Sequence, residues 1–106
     1  MEEQVRHSEA SCPVERTARL VSSKWTLLII RDLIEGCKRF SELQKSLQGI
    51  SPKTLSERLS TLEREGLVVR HVYAEVPPRV EYSLTEKGQA LLPLIEAMRQ
   101  YGERWL

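Results

Sequence analysis

Residues 51–66, SPKTLSERLSTLEREG, carry the clearest helix boundaries in the chain. Ser51 is a favoured N-cap residue, and Pro52 suits the first helical position, where no backbone N–H is needed. Gly66 is typical of the residue just beyond a helix C-terminus. Between these ends, leucines recur at helical spacing, at Leu55, Leu59 and Leu62. The stretch therefore predicts a helix over 51–65 with one apolar side.

The opposite side of this helix is polar. If the leucines face the core, a turn of about 100° per residue leaves other side chains on the outside. These are Lys53, Glu57, Ser60, Thr61 and Arg64, with Thr54 and Arg58 flanking them. Residues 38–70 contain seven Lys or Arg and four Glu, so this segment carries +3 where the whole chain carries +1. Positive charge is concentrated where phosphate binding needs it, although charged residues also commonly do no more than solvate an exposed helix.

Three helices are predicted before this one. Their ranges are 13–22, 24–35, and a brief helix that Ser41 opens after an extended piece at 38–40. The 24–35 segment places Trp, Leu and Ile side chains on a broad apolar surface, which predicts a nearly buried helix. We expect this helix to form the centre of the core.

Two strands and a final helix are predicted after the 51–65 helix. Residues 67–73 and 79–84 are rich in Val and Tyr. The five residues between them, AEVPP, favour a hairpin with a proline-stiffened tip. Thr85 and Glu86 start a helix that is expected to run without a break to the C-terminus.

This order of elements is that of a winged helix-turn-helix domain, a mainly α fold with a small β-hairpin wing. In such a fold the second helix of the turn enters the major groove of DNA. The wing is expected at 67–85 and the C-terminal helix at 86–105. The residues predicted to contact DNA are Arg39, Ser41, Lys45, Ser51, Lys53, Thr54, Glu57, Arg58, Thr61, Arg64 and Arg79. The alternative is a winged helix that binds only proteins, with Tyr101 and Trp105 as anchors.

The last predicted helix carries an apolar stripe that is too large to be left in water. Its members are Leu91, Leu94, Ile95, Met98, Tyr101 and Trp105. A domain of this size cannot cover the stripe from its own residues, so a two-fold dimer is expected, with Val14 and Ala18 as further contacts. Such a dimer would bind an inverted repeat whose half-sites lie about 10 base pairs, or a multiple of that, from centre to centre.

The length and composition predict one compact domain. The chain has 106 residues, of which 41% are hydrophobic. We expect the domain at 12–106, after a flexible tail at 1–11. The longest aliphatic run, Leu27 to Ile30, is far shorter than the roughly 20 residues that a membrane span needs, and the first ten residues are too polar for a signal peptide. A cytoplasmic protein is therefore expected.

Enzyme classes have little support in this composition. The chain contains one aspartate, Asp32, and two histidines, His7 and His71, which lie in the predicted tail and hairpin. A catalytic triad has few candidates among them. The chain also has no Gly-rich phosphate loop and no zinc-ligand spacing. Neither a catalytic function nor a cofactor nor a metal is predicted.

The two cysteines differ in their predicted surroundings. Cys12 precedes Pro13 at the expected N-cap of the first helix, where free backbone amides and the helix dipole favour a thiolate. Cys37 lies beside a helix end, where the dipole has the opposite sign. Cys12 is therefore the candidate sensor residue, with two inert cysteines that act as small apolar residues as the alternative.

Four segments resemble the HxlR-type regulators, a MarR-like family of bacterial transcription factors. They are CPVERT at 12–17, KWTLLIIRDL at 24–33, RFSELQKSLQGISPKTLSERLSTLEREGLVVR at 39–70 and YAEVPPRVEYSLTEKG at 73–88. The resemblance implies a homodimer, formed by the terminal helices, that binds an inverted-repeat operator and represses or activates nearby genes. It also implies that Cys12 occupies the position that serves some members as a sensor of oxidants or electrophiles. Cys37 is not part of that pattern, and a small aromatic ligand is the alternative signal.

Overall fold

The structure is a computed structural model that describes residues 12–106, so the tail predicted at 1–11 lies outside the described residues. Its elements are α1 (Pro13–Leu20), α2 (Lys24–Ile34), β1 (Lys38–Arg39), α3 (Phe40–Ser46), α4 (Pro52–Arg64), β2 (Val68–Tyr73), β3 (Arg79–Leu84), α5 (Glu86–Gln89) and α6 (Leu92–Trp105). The predicted fold class is confirmed, because the described chain is mainly helical and contains one small antiparallel sheet. Within the described range, no helix has the length and apolar character that crossing a membrane requires.

The sheet joins the hairpin to the segment that precedes α3. The strand order is β1-β3-β2, so β3 is the central strand. In the hairpin, Val68 lies opposite Leu84 and Tyr73 lies opposite Arg79. The piece predicted only as extended at 38–40 becomes the two-residue strand β1, because β3 offers it a free edge. This pairing ties the start of the helix-turn-helix to the wing.

The core lies between α2, α3, α4 and the sheet. The predicted leucine stripe of α4 is confirmed, since Leu55, Leu59 and Leu62 are each exposed by 1% or less. The other buried apolar side chains are Ile29, Ile30, Leu33, Leu43, Leu47, Ile50, Leu67, Val68, Tyr82 and Leu84. Burial of one side of α4 fixes which of its residues face the solvent.

Both predicted ends of α4 are confirmed. The Ser51 hydroxyl accepts a hydrogen bond from the backbone N–H of Thr54 at 3.1 Å, and Pro52 occupies the first helical position. Gly66 lies just beyond the C-cap with φ +76°, in the left-handed region that disfavours other residues. The helix therefore begins and ends where its local sequence dictates.

Three helices differ by one or two residues from their predicted ranges, among them α2, which was expected over 24–35 but ends at Ile34. The first was expected over 13–22, but α1 ends at Leu20. The third was expected to open at Ser41, but Phe40 already belongs to α3. The reason for the earlier start is that the backbone N–H of Arg39 donates to the Glu42 carboxylate at 2.8 Å, which caps the helix one residue sooner.

The prediction of an unbroken helix over 86–105 is wrong. Ala90 and Leu91 separate α5 from α6. Pro93 explains the break, because it has no N–H to donate and its ring would clash with the carbonyl of Gln89 in a continuous helix. A second constraint acts at Gly88, where a Cβ atom would lie 2.3 Å from the carbonyl oxygen of Leu67. The glycine lets α5 pack directly on the backbone at the start of β2.

Candidate DNA-binding surface

The outer side of α4 presents polar side chains near its N-terminus. Lys53 and Glu57 are exposed, and Thr54 is half-buried beside them. Within residues 12–106, neither Lys53 nor Glu57 takes part in an ion pair. Ser51 is committed to capping, because its hydroxyl also donates to Thr54 Oγ1 at 3.0 Å. The first two turns of α4 thus offer an unpaired cation and an unpaired carboxylate to a partner.

The C-terminal half of α4 is more constrained. The Thr61 hydroxyl donates to the backbone carbonyl of Glu57 at 3.0 Å and accepts from Arg64 Nη2 at 3.2 Å. Arg64 is exposed but lies along its own helix. Arg58 is half-buried on the flank that faces α1, and its Nε atom is buried without a hydrogen-bond partner in the described chain. Among the described residues, the side chains of Lys53 and Glu57 are therefore less constrained than those of Thr61 and Arg64.

The helix α3 and the turn after it support α4. Gly49 has φ +91° and makes the tight turn, and the buried Ile50 anchors it in the core. Arg39, Ser41 and Lys45, which the sequence predicts as DNA contacts, are all exposed on or next to α3. This geometry places two positive side chains beside the helix-turn-helix.

In the wing, the Arg79 side chain takes part in ion pairs and a cation–π contact that the sequence did not predict. Arg79 Nη2 contacts the Glu75 carboxylate at 3.0 Å, and Nη1 contacts Glu81 at 2.9 Å. Its guanidinium carbon also lies 4.1 Å from the centre of the Tyr73 ring, a cation–π contact. The side chain is 28% exposed. Arg79 therefore stabilises the wing tip, and its charge is balanced by two carboxylates.

The two cysteines lie in different environments. The Cys12 sulfur accepts from the backbone N–H of Glu15 at 3.4 Å and is exposed, so the predicted N-cap position is confirmed. The exposed Cys37 donates to Glu81 Oε1 at 3.4 Å. The hydrogen bond to the Glu81 carboxylate, and its negative charge, raise the pKa of the Cys37 thiol. Cys37 is therefore the less reactive of the two by environment.

The terminal helices leave a large apolar area exposed. In α6, Met98, Tyr101 and Trp105 are exposed by 48%, 61% and 62%. Leu91 and Ile95, which the sequence predicts as dimer contacts, are half-buried and pack against the chain's own core. The remaining predicted contacts, Leu94 of α6 with Val14 and Ala18 of α1, line a shared groove of 460 Å³ that also includes Met98. The two helices thus form one continuous apolar surface.

Comparison with known sequences identifies relatives over most of the chain. The sequence profile of the HxlR-like helix-turn-helix family matches residues 20–106, which include every element from α2 to α6. The HTH-type transcriptional regulator sll1512 of Synechocystis sp. is 44% identical over 95 residues. That alignment covers 90% of this chain and 70% of the relative.

Solved structures share the fold. A MarR-family transcriptional regulator from Porphyromonas gingivalis W83 has a TM-score of 0.87 and 41% identity, covering 92% of this chain and 96% of that chain. The redox regulator HypR in its oxidized form has a TM-score of 0.83 and 42% identity, covering 88% of this chain and 96% of that chain. Both superpositions cover far more than the helix-turn-helix alone.

Proposed function

The chain belongs to the HxlR-like helix-turn-helix family, and from this premise we propose that it acts as a homodimer on an inverted-repeat operator. It is a DNA-binding transcriptional regulator and not an enzyme, as its relatives are regulators. The observation that carries the proposal is the two-sided character of α4. Its leucine side is buried, while Lys53 and Glu57 on the other side are exposed and form no ion pair within residues 12–106.

We assign base recognition to the first two turns of α4. Lys53, Thr54 and Glu57 lie close to the helix N-terminus, which in helix-turn-helix proteins is the part that contacts base edges. The free backbone amides at that terminus suit a phosphate. Arg39, Ser41 and Lys45 are assigned to the DNA backbone, because they are exposed beside the turn and two of them are positive.

The other predicted DNA contacts lie around the residues that are assigned to base recognition. Ser51 contributes by capping α4, while Thr61 and Arg64 flank its outer side further from the N-terminus. Arg79 is assigned to the DNA backbone or minor groove beside the wing, where the ion pairs with Glu75 and Glu81 set its position. The domain at 12–106 thus combines a helix-turn-helix, a wing at 67–85 and terminal helices. Access to chromosomal DNA implies that it works in the cytoplasm.

The exposed apolar surface of α1 and α6 supports the dimer. Tyr101 and Trp105 are the kind of side chains that dominate interface energies, and isolated domains rarely leave so much apolar surface in water. A two-fold axis through this surface would place two α4 helices on one face of the DNA, about one helical turn or a multiple apart. An inverted repeat follows from that symmetry.

Selection of DNA from a random pool by the full-length protein tests this proposal. We expect enrichment of an inverted repeat with half-sites about 10 base pairs, or a multiple of that, from centre to centre. Binding should weaken steeply as salt rises, because phosphate contacts release counterions. No enrichment, together with no salt-dependent affinity for any duplex, would favour the alternative of a protein-interaction module.

A redox signal through Cys12 is the second part of the proposal. The similar protein HypR is named a redox regulator, and Cys12 is exposed at the N-cap of a helix next to the proposed interface. With diamide as the oxidant, two thiols form one disulfide and the two electrons and two protons pass to the diamide. The second thiol is Cys12 of the other protomer or a small free thiol.

The test compares the wild type with Cys12→Ser and Cys37→Ser before and after diamide. We expect operator affinity to change in the wild type and in Cys37→Ser, but not in Cys12→Ser. A change that persists in Cys12→Ser, or no change in the wild type, would remove Cys12 from the mechanism and leave a small ligand, such as an aromatic molecule, as the signal.

A further inference from the structure

A polar cleft of 250 Å³ lies between α1 and α4, away from the first turn of α4. Most of its lining is charged or carries a hydroxyl, and includes Arg16, Arg19, Ser22, Arg58, Thr61 and Glu65. The lining contains three guanidinium groups and one carboxylate, and one of the guanidinium groups, that of Arg19, also contacts Glu15. Arg58, which the sequence predicts as a DNA contact, lines this cleft on the flank of α4 and is not among the residues assigned to base recognition.

Arg58 is the central residue of the cleft. It is half-buried, and its Nε atom is one of three buried side-chain polar atoms in residues 12–106 without a hydrogen-bond partner. A buried donor on a charged group is unfavourable unless an acceptor satisfies it. The cleft offers Glu65 as a single carboxylate, and no hydrogen bond joins it to Arg58 within the described residues. The Nε–H group of Arg58 is thus a buried donor without an acceptor among the described residues.

We propose that this cleft binds an oxyanion, with Arg58 and Arg19 as its principal donors. A guanidinium has five N–H groups in a planar arrangement that matches a phosphate or carboxylate, so Arg19 can hold the anion while it keeps its 3.2 Å contact with Glu15. The volume equals that of about eight water molecules, which suits one phosphate or a small carboxylic acid with its hydration. The group comes either from a DNA backbone or from a small free molecule.

The position of the cleft gives such binding a consequence. The cleft joins α4 to α1, whose first residue follows Cys12. An anion between the two arginines would hold α1 and the flank of α4 in one arrangement, because each helix supplies a donor. The inference goes beyond the proposed operator binding, and its first measurement needs no DNA.

The first experiment titrates inorganic phosphate into the full-length protein and follows the arginine Nε–Hε signals by NMR. Sodium chloride at matched ionic strength is the blank. We expect the Arg58 signal to shift saturably with phosphate and not with chloride. A shift that only follows ionic strength would overturn the proposal.

Three variants separate a binding role from a structural one. Arg58→Gln should weaken phosphate affinity by about tenfold or more, because it removes a charged donor. Glu65→Gln should strengthen it by a few-fold, since it removes the opposing charge, and a purely structural role of the cleft would not predict that gain. Arg104→Gln, an exposed arginine of α6, is the control with the same charge change. Affinities that fall equally in Arg58→Gln and Arg104→Gln would contradict a specific site.

If Arg58→Gln does not fold, Arg19→Gln serves in its place, because Arg19 is exposed on α1. We expect Arg19→Gln to weaken phosphate affinity more than Arg104→Gln does, and equal affinities in those two variants would overturn the proposal.

The source of the anion is decided by binding to a duplex of random sequence at several salt concentrations. If a backbone phosphate fills the cleft, Arg58→Gln should reduce the salt slope by about one. If the slope is unchanged while phosphate affinity is lost, the occupant is a small free anion. Failure of the wild type to bind any DNA would refute the proposed function but leave the phosphate titration as an independent test of this cleft.

Discussion

The helices α4 and α6 are similar in length but differ in whether the chain itself buries their apolar residues. In α4, Leu55, Leu59 and Leu62 are exposed by 1% or less. In α6 no residue is fully buried, and Tyr101 and Trp105 are each exposed by more than 60%. The apolar stripe of α4 is therefore buried within the chain, whereas part of the stripe of α6 stays exposed, and this is the surface that we propose forms the dimer.

This contrast separates two kinds of sequence information. The stripe of α4 predicts a contact within the chain, and the structure confirms it. The stripe of α6 has the same periodicity, but its first part, Leu91 and Ile95, packs on the core while its last part does not. Periodicity alone does not distinguish burial within a chain from burial between chains. Shortening a side chain in the stripe of α4 should therefore affect folding, whereas shortening one in the exposed part of α6 should affect association.

The largest expected effect is on folding, from Leu59→Ala in α4. Removal of a fully buried leucine side chain leaves a cavity and should lower the free energy of unfolding by about 2–5 kcal/mol. Tyr101→Ala, in the exposed part of α6, should change the stability of the dissociated protomer by less than about 0.5 kcal/mol. Chemical denaturation at several protein concentrations measures both, because the dimer contribution varies with concentration and the protomer contribution does not. Similar losses for the two variants at the lowest concentration would abolish the distinction.

The next effect is on association. The double variant Tyr101→Ser, Trp105→Ser should weaken the dimer by about 30-fold or more, since even one interface aromatic residue often contributes about 2 kcal/mol. Sedimentation velocity across a dilution series gives the dissociation constant. Val76→Ser is the control, because Val76 is an apolar residue in the wing that is even more exposed. A wild-type protein that is monomeric throughout, or a control that dissociates as readily, would contradict the assignment of α6 to the interface.

A smaller effect distinguishes the N-caps of α4 and α1. Ser51→Ala removes the hydroxyl oxygen that accepts a hydrogen bond from the Thr54 N–H at 3.1 Å, and should lower the free energy of unfolding by about 1 kcal/mol. Cys12→Ala removes the sulfur that accepts a hydrogen bond from the Glu15 N–H at 3.4 Å. It should lower the free energy of unfolding by less, because a thiol sulfur is a weak acceptor. Thermal unfolding of the two variants provides the comparison. A larger cost for Cys12→Ala would show that α1 depends on its cap more than α4 does.

The smallest expected effect concerns the thiol at the base of the wing. The Glu81 carboxylate raises the pKa of Cys37, so at a pH below that pKa less of the thiol is ionised and alkylation is slower. Glu81→Gln should therefore speed iodoacetamide labelling of Cys37 by a few-fold at pH 8 in a Cys12→Ser background. Mass spectrometry of the labelled protein measures the rate. An unchanged rate would mean that Glu81 does not control this thiol.

The sequence predicted most completely the parts whose determinants are local. The ends and the buried side of α4 follow from residues within 51–66, and each is as expected. The break before α6 was missed, although Pro93 was a readable local signal against a continuous helix. The ion pairs of Arg79 with Glu75 and Glu81 were not predictable in the same way, because the first of them depends on the path of the loop that carries Glu75. The half-burial of Arg58 depends on α1, which is distant along the chain.

The proposed DNA contacts rest on which side chains are exposed, and no sequence pattern fixes the bases that they prefer. Exposure was predictable, because it follows from the buried stripe of α4. Base preference was not, because it depends on side-chain geometry and on the shape of the DNA.

The central claim, that the outer side of α4 recognises the operator, is tested most directly by a charge-neutral double variant, Lys53→Ala, Glu57→Ala. Both residues are exposed and without an ion pair in the part of the chain that the structure describes, so folding and net charge should be preserved. Lys24→Ala, Glu86→Ala is the control, with the same charge balance at exposed positions outside α4 and α6. Fluorescence anisotropy measures affinity for the selected operator and for a scrambled duplex. We predict that the α4 variant lowers the preference for the operator by about 10- to 100-fold, because a good base contact provides about 1–3 kcal/mol, while the control keeps it. An unchanged preference in the α4 variant would contradict the claim.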